Sequence, residues 1–574
     1  MGKSWKGSWV LGIWDGHDAG AALLNGNQIV FAVNEERFSR RKLEAGFPQK
    51  SIAACLKYAH ISPADVTDVA ASTSDPAKTL TRIFPGLKEE YYLLRRRIKG
   101  PRRLDGLKKR FKYRFTELKP NVLSTGLSKF HLVKQLNRMG FKNHTFHLIN
   151  HHVSHAQAAA RCSGFAKCLV VTLDGVGDGQ SGSIQVFEDD RLKILKKIPS
   201  TASLGIFFEH VTNLMNMREL EDEGKVMALA NYAYPIKDSD NPLMDFMRCR
   251  DLGFESRYRS GRLYKEMKKI LWRYPSEQFA YMAQRVVEKK VGDLIQNALN
   301  RTGIKKLAVA GGLFSNVKLN MKLAGLADIE NYYVFPNMGD GGLGLGAAVA
   351  VNYLKHKISG SRLKTLYLGP DFSRREIVDA LEHKNVPYRP IKDVAGSAAE
   401  LILKGEIILW FQGRAEFGPR ALGNRSILAR ADNRQIKDRL NLILKKRVWY
   451  QPFCPSMLVE EASELLQTEA QIVRANMFMT TAFRVRKEHL KELEGVISID
   501  GTCRPHFVGD ENPLFRELLL LVQKGSGRGV VLNTSFNLHG EPMVCSPADA
   551  LDTLKGSGFR YLFLEDFLVE NRSQ

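Results

Sequence analysis

Three histidines fall within five positions, His151, His152 and His155, in the stretch NHHVSHAQAA (150–159), which otherwise reads as Ala-rich helix. Residues four apart on a helix share a face, so His151 and His155 point the same way and His152 points elsewhere. Two imidazoles one turn apart can hold a single transition-metal ion. Surface helices carry the same spacing incidentally. The pair alone leaves both readings open, and ligands further along the chain have to decide between them.

The elements around the pair are legible from pattern. Residues 8–14 (SWVLGIW) read as a buried strand. The Gly-rich turn DGHDAG follows, then a strand AALLNG, an Asn25-Gly26 turn and a strand QIVFAV, together a β-hairpin with acidic residues at its base. Residues 49–60 have helical periodicity. From residue 168 a second apolar strand is expected to end at Asp174-Gly175, before a Gly-rich turn and another strand. The chain thus presents strand, Asp-Gly turn, strand twice, an architectural duplication with little sequence identity. Residues 278–300 form an amphipathic helix, and KKLAVAGGLFSNVKLN (305–320) reads as strand, Gly-Gly turn, helix. Residues 332–354 read as a strand and a Gly-rich loop opening a small-residue helix, where backbone can approach a ligand and the helix N-terminus favours anions. Residues 355–370 look like a linker, and a second α/β pattern runs from 371 to the end.

Composition bounds the class. A chain of 574 residues is too long for one core, and 44 % hydrophobic with 25 % charged residues is ordinary for a water-exposed globular protein. No apolar run reaches the length of a membrane span, and the N-terminus has no signal-peptide core with a cleavage site. Seven scattered cysteines without C-x-x-C fit reduced thiols, so a cytoplasmic location is expected. Net charge is 85 − 61 = +24, and residues 95–114 supply +10 of it, with eleven Lys/Arg and one Asp. Such a stretch can bind phosphate backbones, steer anionic small substrates or be a solvated insertion. Nucleic-acid binding is the secondary reading here. A homodimer is expected on base rates only.

The order of the motifs resembles the actin/Hsp70/sugar-kinase (ASKHA) superfamily, in which two hairpin turns face nucleotide phosphates and a Gly-Gly turn flanks the adenosine. Within that layout His151, His155, Asp174 and Asp340 would make a site of two imidazoles and two carboxylates. Mixed N/O ligation suits Fe(II), Mn(II) or Zn(II) better than Mg(II) alone, with Fe(II) the first choice and Mg(II) accompanying ATP. The order is also similar to that of the universal tRNA threonylcarbamoyltransferase subunit.

The second half carries Lys445-x-Arg447 and later Ser535-x-Asn537, which resembles the KxR…SxN signature of YrdC-like domains that form carbamoyl-adenylates. GHDAGAAL, NEERFSR, HHVSHAQAA, EGKVMALA, FGPRALGNRSILA and LNTSFN together resemble the O-carbamoyltransferases of nodulation-factor and antibiotic biosynthesis, the NodU/CmcH type. The resemblance covers essentially the whole chain. It implies an α/β protein with a duplicated ASKHA, threonylcarbamoyltransferase-like transfer domain over 1–356 and a YrdC-like domain over 371–574. The basic insertion at 95–114 is not part of that pattern.

The resemblance implies two steps. Carbamoyl phosphate and ATP would give carbamoyl-adenylate and pyrophosphate in the second domain. An acceptor hydroxyl of a small molecule would then attack the carbamoyl carbon in the first, releasing AMP. Carbamoyl phosphate is a dianion with an amide, so binding calls for convergent cations and hydrogen-bonding groups. Arg420, Lys445, Arg447 and Arg504 would supply charge, Ser535 and Asn537 hydrogen bonds. His17 is the candidate general base, with an alternative structural role in its turn, and Asp15 or Asp18 could orient it or the acceptor. Gly311, Gly312 and Asn316 would flank the adenosine, Glu223 would reach the ribose and Lys225 a phosphate. His147 and His152 are expected to be structural. Other readings are a threonylcarbamoyl-type tRNA-modifying enzyme, a non-catalytic actin-like nucleotide binder and a sugar kinase. The acceptor is not readable, because acceptor pockets are built from loops that vary without changing the chemistry.

Overall fold

A computed structural model describes residues 7–100, 115–360 and 362–571. Most of the basic insertion, 101–114, lies outside the described residues. Contacts divide the chain into two units, Met1–Glu35 with Glu44–Leu363 and Lys364–Gln574 with Glu36–Leu43. The split falls inside the expected linker. That residues 36–43 cluster with the second unit is a crossing the sequence pattern does not reveal.

The first unit contains two five-stranded sheets of one topology. In the first, the fully buried strand Trp9–Trp14 is central. Gly20–Asn25 and Gln28–Asn34 meander antiparallel on one side of it, and Val66–Ser72 and Thr145–Ile149 add parallel on the other. In the second, Cys168–Gly177 is central, Gln180–Glu188 and Arg191–Pro199 meander, and Lys306–Ala310 and Asn331–Val334 add parallel. The duplication inferred from two Asp-Gly turns is thus a duplication of strand order. One detail differs from expectation. The central strand of the second sheet does not stop at Asp174 but runs to Gly177, its pairing shifting register between Leu173 and Gly177. The chain reverses instead at Asp178 and Gly179, both at positive φ (52° and 73°), as tight hairpin turns require. Asp174 therefore sits in a bulge, a device that re-aims a side chain out of the ladder.

The histidine stretch is the helix His151–Ser163. Asn150 caps it, its side chain accepting from the His152 and Val153 amides, which fixes where the first turn begins. Asp178 accepts from the His151 amide at 2.8 Å and from the Ser74 and Asp75 amides at 2.9 and 3.1 Å, tying the helix start to both lobes. The small-residue helix Leu343–His356 packs directly across the histidine helix. A Cβ added at Gly346 would lie 2.1 Å from the Ser154 carbonyl oxygen, so only glycine allows this approach. Gly346→Val is expected to lower unfolding stability by about 3 kcal/mol or more, as overpacking against rigid backbone does. Urea denaturation of the purified chain checks this, and a loss below about 0.5 kcal/mol would show that the two helices are not clamped here.

The second unit is built on an eight-stranded mixed sheet, in the order Tyr388–Pro390, Phe567–Glu570, Tyr561–Leu564, Ile408–Phe411, Arg425–Arg430, Val530–Ser535, Cys454–Leu458, His506–Val508. Its core joins Trp410 and Phe563 of the sheet to Phe515, Leu518 and Leu519 of the helix Pro513–Ser526 and to Ala398 and Ile402 of the helix Val394–Leu403. The segment Glu36–Leu43 is held to this unit by side chain to backbone bonds. Arg37 donates to the Gly418 carbonyl at 2.8 Å, and Arg40 to the Met543 and Pro542 carbonyls at 2.6 and 3.1 Å. All seven cysteines are free thiols. Among the described residues no helix is long and apolar enough to cross a membrane.

Candidate functional site

The bulge at Asp174 and the helix of His151 and His155 bring four donor atoms together. Asp174 Oδ2 lies 3.3 Å from His151 Nε2 and 3.0 Å from His155 Nε2. Asp340 Oδ1, in the loop before the small-residue helix, lies 3.6 and 3.7 Å from the same two nitrogens. Ligands about 2.1 Å from one ion stand roughly 3–3.4 Å from each other, so this cluster has the spacing of a coordination sphere. Both imidazoles are almost fully buried, at 2 % and 1 % accessibility. His151 Nδ1 meets Thr73 Oγ1 at 3.0 Å, which leaves Nε2 to face the carboxylates. Two imidazole nitrogens and two carboxylate oxygens fit a divalent ion of borderline softness. The sequence-inferred ligands are the residues that the fold gathers. His152 points away, its Nδ1 meeting Thr172 Oγ1 at 3.0 Å, and His147 is bound to Asp68 at 2.7 Å.

His17 stands at the edge of this cluster, its Nε2 3.5 Å from Asp340 Oδ2. Burial lowers its imidazole to about 4; Asp340 and Asp174 oppose the shift, while Arg95 and Lys78 add to it. The ring is therefore neutral at neutral pH and can accept a proton or a hydrogen bond. Trp14 Nε1 donates to the His17 carbonyl at 2.7 Å and holds the turn in shape. Asp15 is held from several sides. Arg82 donates to both its carboxylate oxygens at 2.9 Å and Lys78 approaches to 3.0 Å. Despite burial, Arg82 and Lys78 keep that carboxyl well below its ordinary range. Asp15 anchors the turn beneath His17. Arg82 and Lys78, on the helix Pro76–Ile83, were not legible as site residues, since nothing in their spacing marks them.

The residues expected near adenosine lie on the second lobe. Gly311 ends the strand Lys306–Ala310 with φ +110°, and a Cβ there would meet the Leu173 carbonyl at 2.1 Å. Gly312 follows, its Cβ position 2.9 Å from Asp174 Oδ1. The Gly-Gly pair thus abuts the candidate metal centre. Asn316 caps the helix Val317–Ala324 and pairs with Gln284 of the long helix Ser276–Thr302. Lys225 is paired with Asp222 at 2.8 Å. Glu223 accepts from the Leu220 amide at 2.7 Å. Burial, reinforced by Glu209, pushes its carboxyl up to about 7 against the backbone bonds and Arg95. A carboxyl whose folded value exceeds its unfolded one binds a proton preferentially in the fold, so its ionisation costs stability as pH rises from about 4.5 to about 7. Glu223→Gln is expected to be more stable than the parent by about 2–3 kcal/mol near pH 8 and nearly equal to it near pH 4.5. Denaturation at the two pH values checks this, and an advantage independent of pH would dismiss the assignment.

A second cluster lies in the other unit. Lys445 directly follows a π-helical turn, Leu440–Leu444, and precedes Lys446, which has a left-handed φ of 40°. Such irregular backbone concentrates at functional sites. Lys445 Nζ donates to the Ser535 carbonyl at 2.6 Å and to Asn537 Oδ1 at 2.6 Å, and Ser535 Oγ donates to Asn537 Oδ1 at 2.8 Å. Arg447 donates to Asn441 Oδ1 at 2.6 Å and lies over the Phe453 ring. Arg504 presents two nitrogens to Cys454 Sγ at 3.2 and 3.1 Å. Arg420 Nε is buried without a hydrogen-bond partner. Burial and then Arg504 lower Arg420 to about 9, and burial chiefly lowers Arg447 to about 10. Burial, Arg447 and Lys42 hold Lys445 well below its ordinary range. All six residues expected to bind carbamoyl phosphate are thus connected directly or through Cys454 and their mutual fields. The group the sequence did not single out is Glu416. Its Oε1 accepts from the amides of Leu422, Asn424 and Arg425 at 2.8, 2.9 and 3.1 Å, folding the loop that carries Arg420.

Two family models match the chain in succession. Residues 9–349 match the model of the carbamoyltransferase N-terminus and residues 399–571 that of the carbamoyltransferase C-terminus. An uncharacterised protein of Methanocaldococcus jannaschii is 31 % identical over 98 % of this chain and 99 % of its own. Nodulation protein NolNO of Sinorhizobium fredii is 32 % identical over 97 % of this chain and 79 % of its own. The 3'-hydroxymethylcephem-O-carbamoyltransferase of Streptomyces clavuligerus is 28 % identical over 65 % of this chain and 71 % of its own. With a site of buried imidazoles and carboxylates in one unit, a cationic pocket in the other, and both family models matched in order, the chain belongs to the carbamoyltransferase family and is a carbamoyltransferase enzyme.

Proposed function

We propose that the protein is an ATP-dependent O-carbamoyltransferase that activates carbamoyl phosphate as carbamoyl-adenylate and transfers the carbamoyl group to a hydroxyl of a small molecule. The observation that carries the reading is the pocket of Arg420, Lys445, Arg447 and Arg504 around Ser535 and Asn537. None of the four cations forms an ion pair with a carboxylate among the described residues, and Arg420, Lys445 and Arg447 are each lowered by burial and by a neighbouring cation. A buried excess of positive charge is costly unless an anion neutralises it, and a small dianion with an amide suits these donors.

Atom balance refines the activation step. ATP and carbamoyl phosphate bring in four phosphorus atoms, and carbamoyl-adenylate and pyrophosphate hold three. Water therefore hydrolyses carbamoyl phosphate, its oxygen adding as the bond to the phosphate breaks, which gives carbamate and orthophosphate. A carbamate oxygen then attacks the α-phosphorus of ATP, and pyrophosphate leaves. In the YrdC-like domain, Lys445 and the arginines hold the phosphate and carbamate, while Ser535 and Asn537 recognise the amide.

In the first domain the acceptor oxygen attacks the carbamoyl carbon, the bond to the phosphate oxygen breaks and AMP departs. His17 Nε2 takes the hydroxyl proton, and Asp15 holds the turn that presents it. Gly311, Gly312 and Asn316 line the approach of the adenosine, with Glu223 toward the ribose. A divalent ion bound by His151, His155, Asp174 and Asp340 supplies Lewis acidity for the carbonyl or charge for the nucleotide phosphate.

The test is ATP–pyrophosphate exchange by the full chain with ATP, Mg(II) and carbamoyl phosphate, without acceptor. Exchange that depends on carbamoyl phosphate is expected. Exchange supported by threonine and bicarbonate instead would replace this reading with the tRNA-modifying one.

A further inference from the structure

The turn that presents His17 is packed against three cations, Arg82, Lys78 and Lys88. Arg82 clamps both oxygens of Asp15 and also donates to the carbonyls of Thr73 and Ser72 at 2.7 and 3.1 Å, so its donors are committed. Lys78 brings its ammonium to 3.0 Å from the same carboxylate, off the hydrogen-bonding direction, and Nζ has no hydrogen-bond partner. The residue is only 9 % exposed, and its ammonium lies 4.2 Å from the centre of the Trp14 ring. Lys88 donates to the backbone carbonyl of Asp15. Three cations thus converge two residues before His17. Glu44 also acts on Lys88, and Asp75 on Lys78 and Arg82. A buried ammonium with no acceptor in line is unfavourable, and an incoming anion would relieve both the desolvation and the repulsion among the three.

We infer that Lys78 and Lys88 bind an anionic group of the acceptor, a phosphate or carboxylate, and that this protein carbamoylates an anionic small molecule. The inference rests on the transfer reading above, in which the acceptor hydroxyl meets His17. An anionic group on that molecule then falls beside the same turn. The same oxyanion chemistry could belong to the phosphate of the carbamoyl nucleotide. The Gly311–Gly312 pair that would take the nucleotide stands on the second lobe against Asp174, whereas the lysines surround the first-lobe turn. That placement favours the acceptor.

The probe is inorganic phosphate, titrated calorimetrically into the metal-free full chain, parent and variants, with and without saturating AMP. Lys88→Gln is the primary variant because Lys88 is half-buried, and Lys78→Gln is the second. Each is expected to weaken one phosphate site about tenfold or more, with AMP leaving that site unchanged. Lys88→Arg, which keeps the charge, is expected to retain affinity within about threefold and separates lost charge from lost fold. Phosphate binding insensitive to both Gln variants would overturn the site. Phosphate displaced by AMP would assign it to the nucleotide and overturn the anionic acceptor. Pyrophosphate exchange by the parent chain is a separate measurement, so a failure of the function reading and a failure of this site are distinguishable.

Discussion

His155→Ala is expected to weaken divalent-metal binding at least about 100-fold and to abolish carbamoyl transfer, while carbamoyl-phosphate-dependent pyrophosphate exchange persists. The four donor atoms come from three separate elements, so each imidazole removed opens the sphere on the helix side and cannot be replaced by its neighbours. His152 cannot substitute, because its ring meets Thr172 instead. His155 is 1 % exposed, and its removal leaves Asp174 and Asp340 facing each other across a cavity with one imidazole between them. Like charges brought together without a cation destabilise that arrangement. Competition against a chromogenic chelator with Fe(II) or Zn(II) reads the affinity, and circular dichroism verifies the fold. A variant that keeps its metal and its full transfer rate would remove His155 from the centre.

Lys445→Met is expected to reduce carbamoyl-phosphate-dependent exchange about 100-fold or more, without changing metal affinity in the other unit. Methionine preserves the length of the stem and deletes the charge. The parent ammonium bridges the Ser535 carbonyl and Asn537 Oδ1, so the substitution leaves two part-buried acceptors with one donor fewer. That alone costs stability, about 1–3 kcal/mol. The larger effect is on anion binding, because a dianion entering this pocket would restore the charge that burial and Arg447 suppress on Lys445. Exchange measured against carbamoyl phosphate concentration distinguishes the two effects. A raised half-saturation with a nearly intact maximum would make Lys445 a binding group alone. An unchanged rate would remove it from the pocket.

Much of this was legible because the chemistry and the local fold share a code. The spacing of His151 and His155 is a helical spacing, and the helix is there with Asn150 capping it. The doubled Asp-Gly turns signalled two lobes, and the sheets share one strand order. The bulge at Asp174 was not legible, since a glycine after an aspartate reads as a turn, whereas the true turn lay four residues further on. Nor were Arg82 and Lys78 around Asp15, or Glu416 under the Arg420 loop. These are tertiary partners. They are ordinary charged residues in sequence and become specific only when a turn or loop closes on them. The same holds for the passage of residues 36–43 into the second unit, whose anchors are the backbone carbonyls of Gly418, Pro542 and Met543 and the distant carboxylates of Glu541 and Asp549.

That passage limits how the gene can be divided. A cut at the 363/364 boundary would seem to release two domains, yet the downstream product would lack Arg37 and Arg40, and the carbonyls of Gly418, Pro542 and Met543 would lose their donors. The upstream product would keep an eight-residue loop whose contacts had gone with the other half. Three covalent crossings rather than one join the units. Swapping the second unit for a homologue's therefore means grafting two separate stretches of coding sequence, and a chimaera made at a single junction inherits a mismatched buckle.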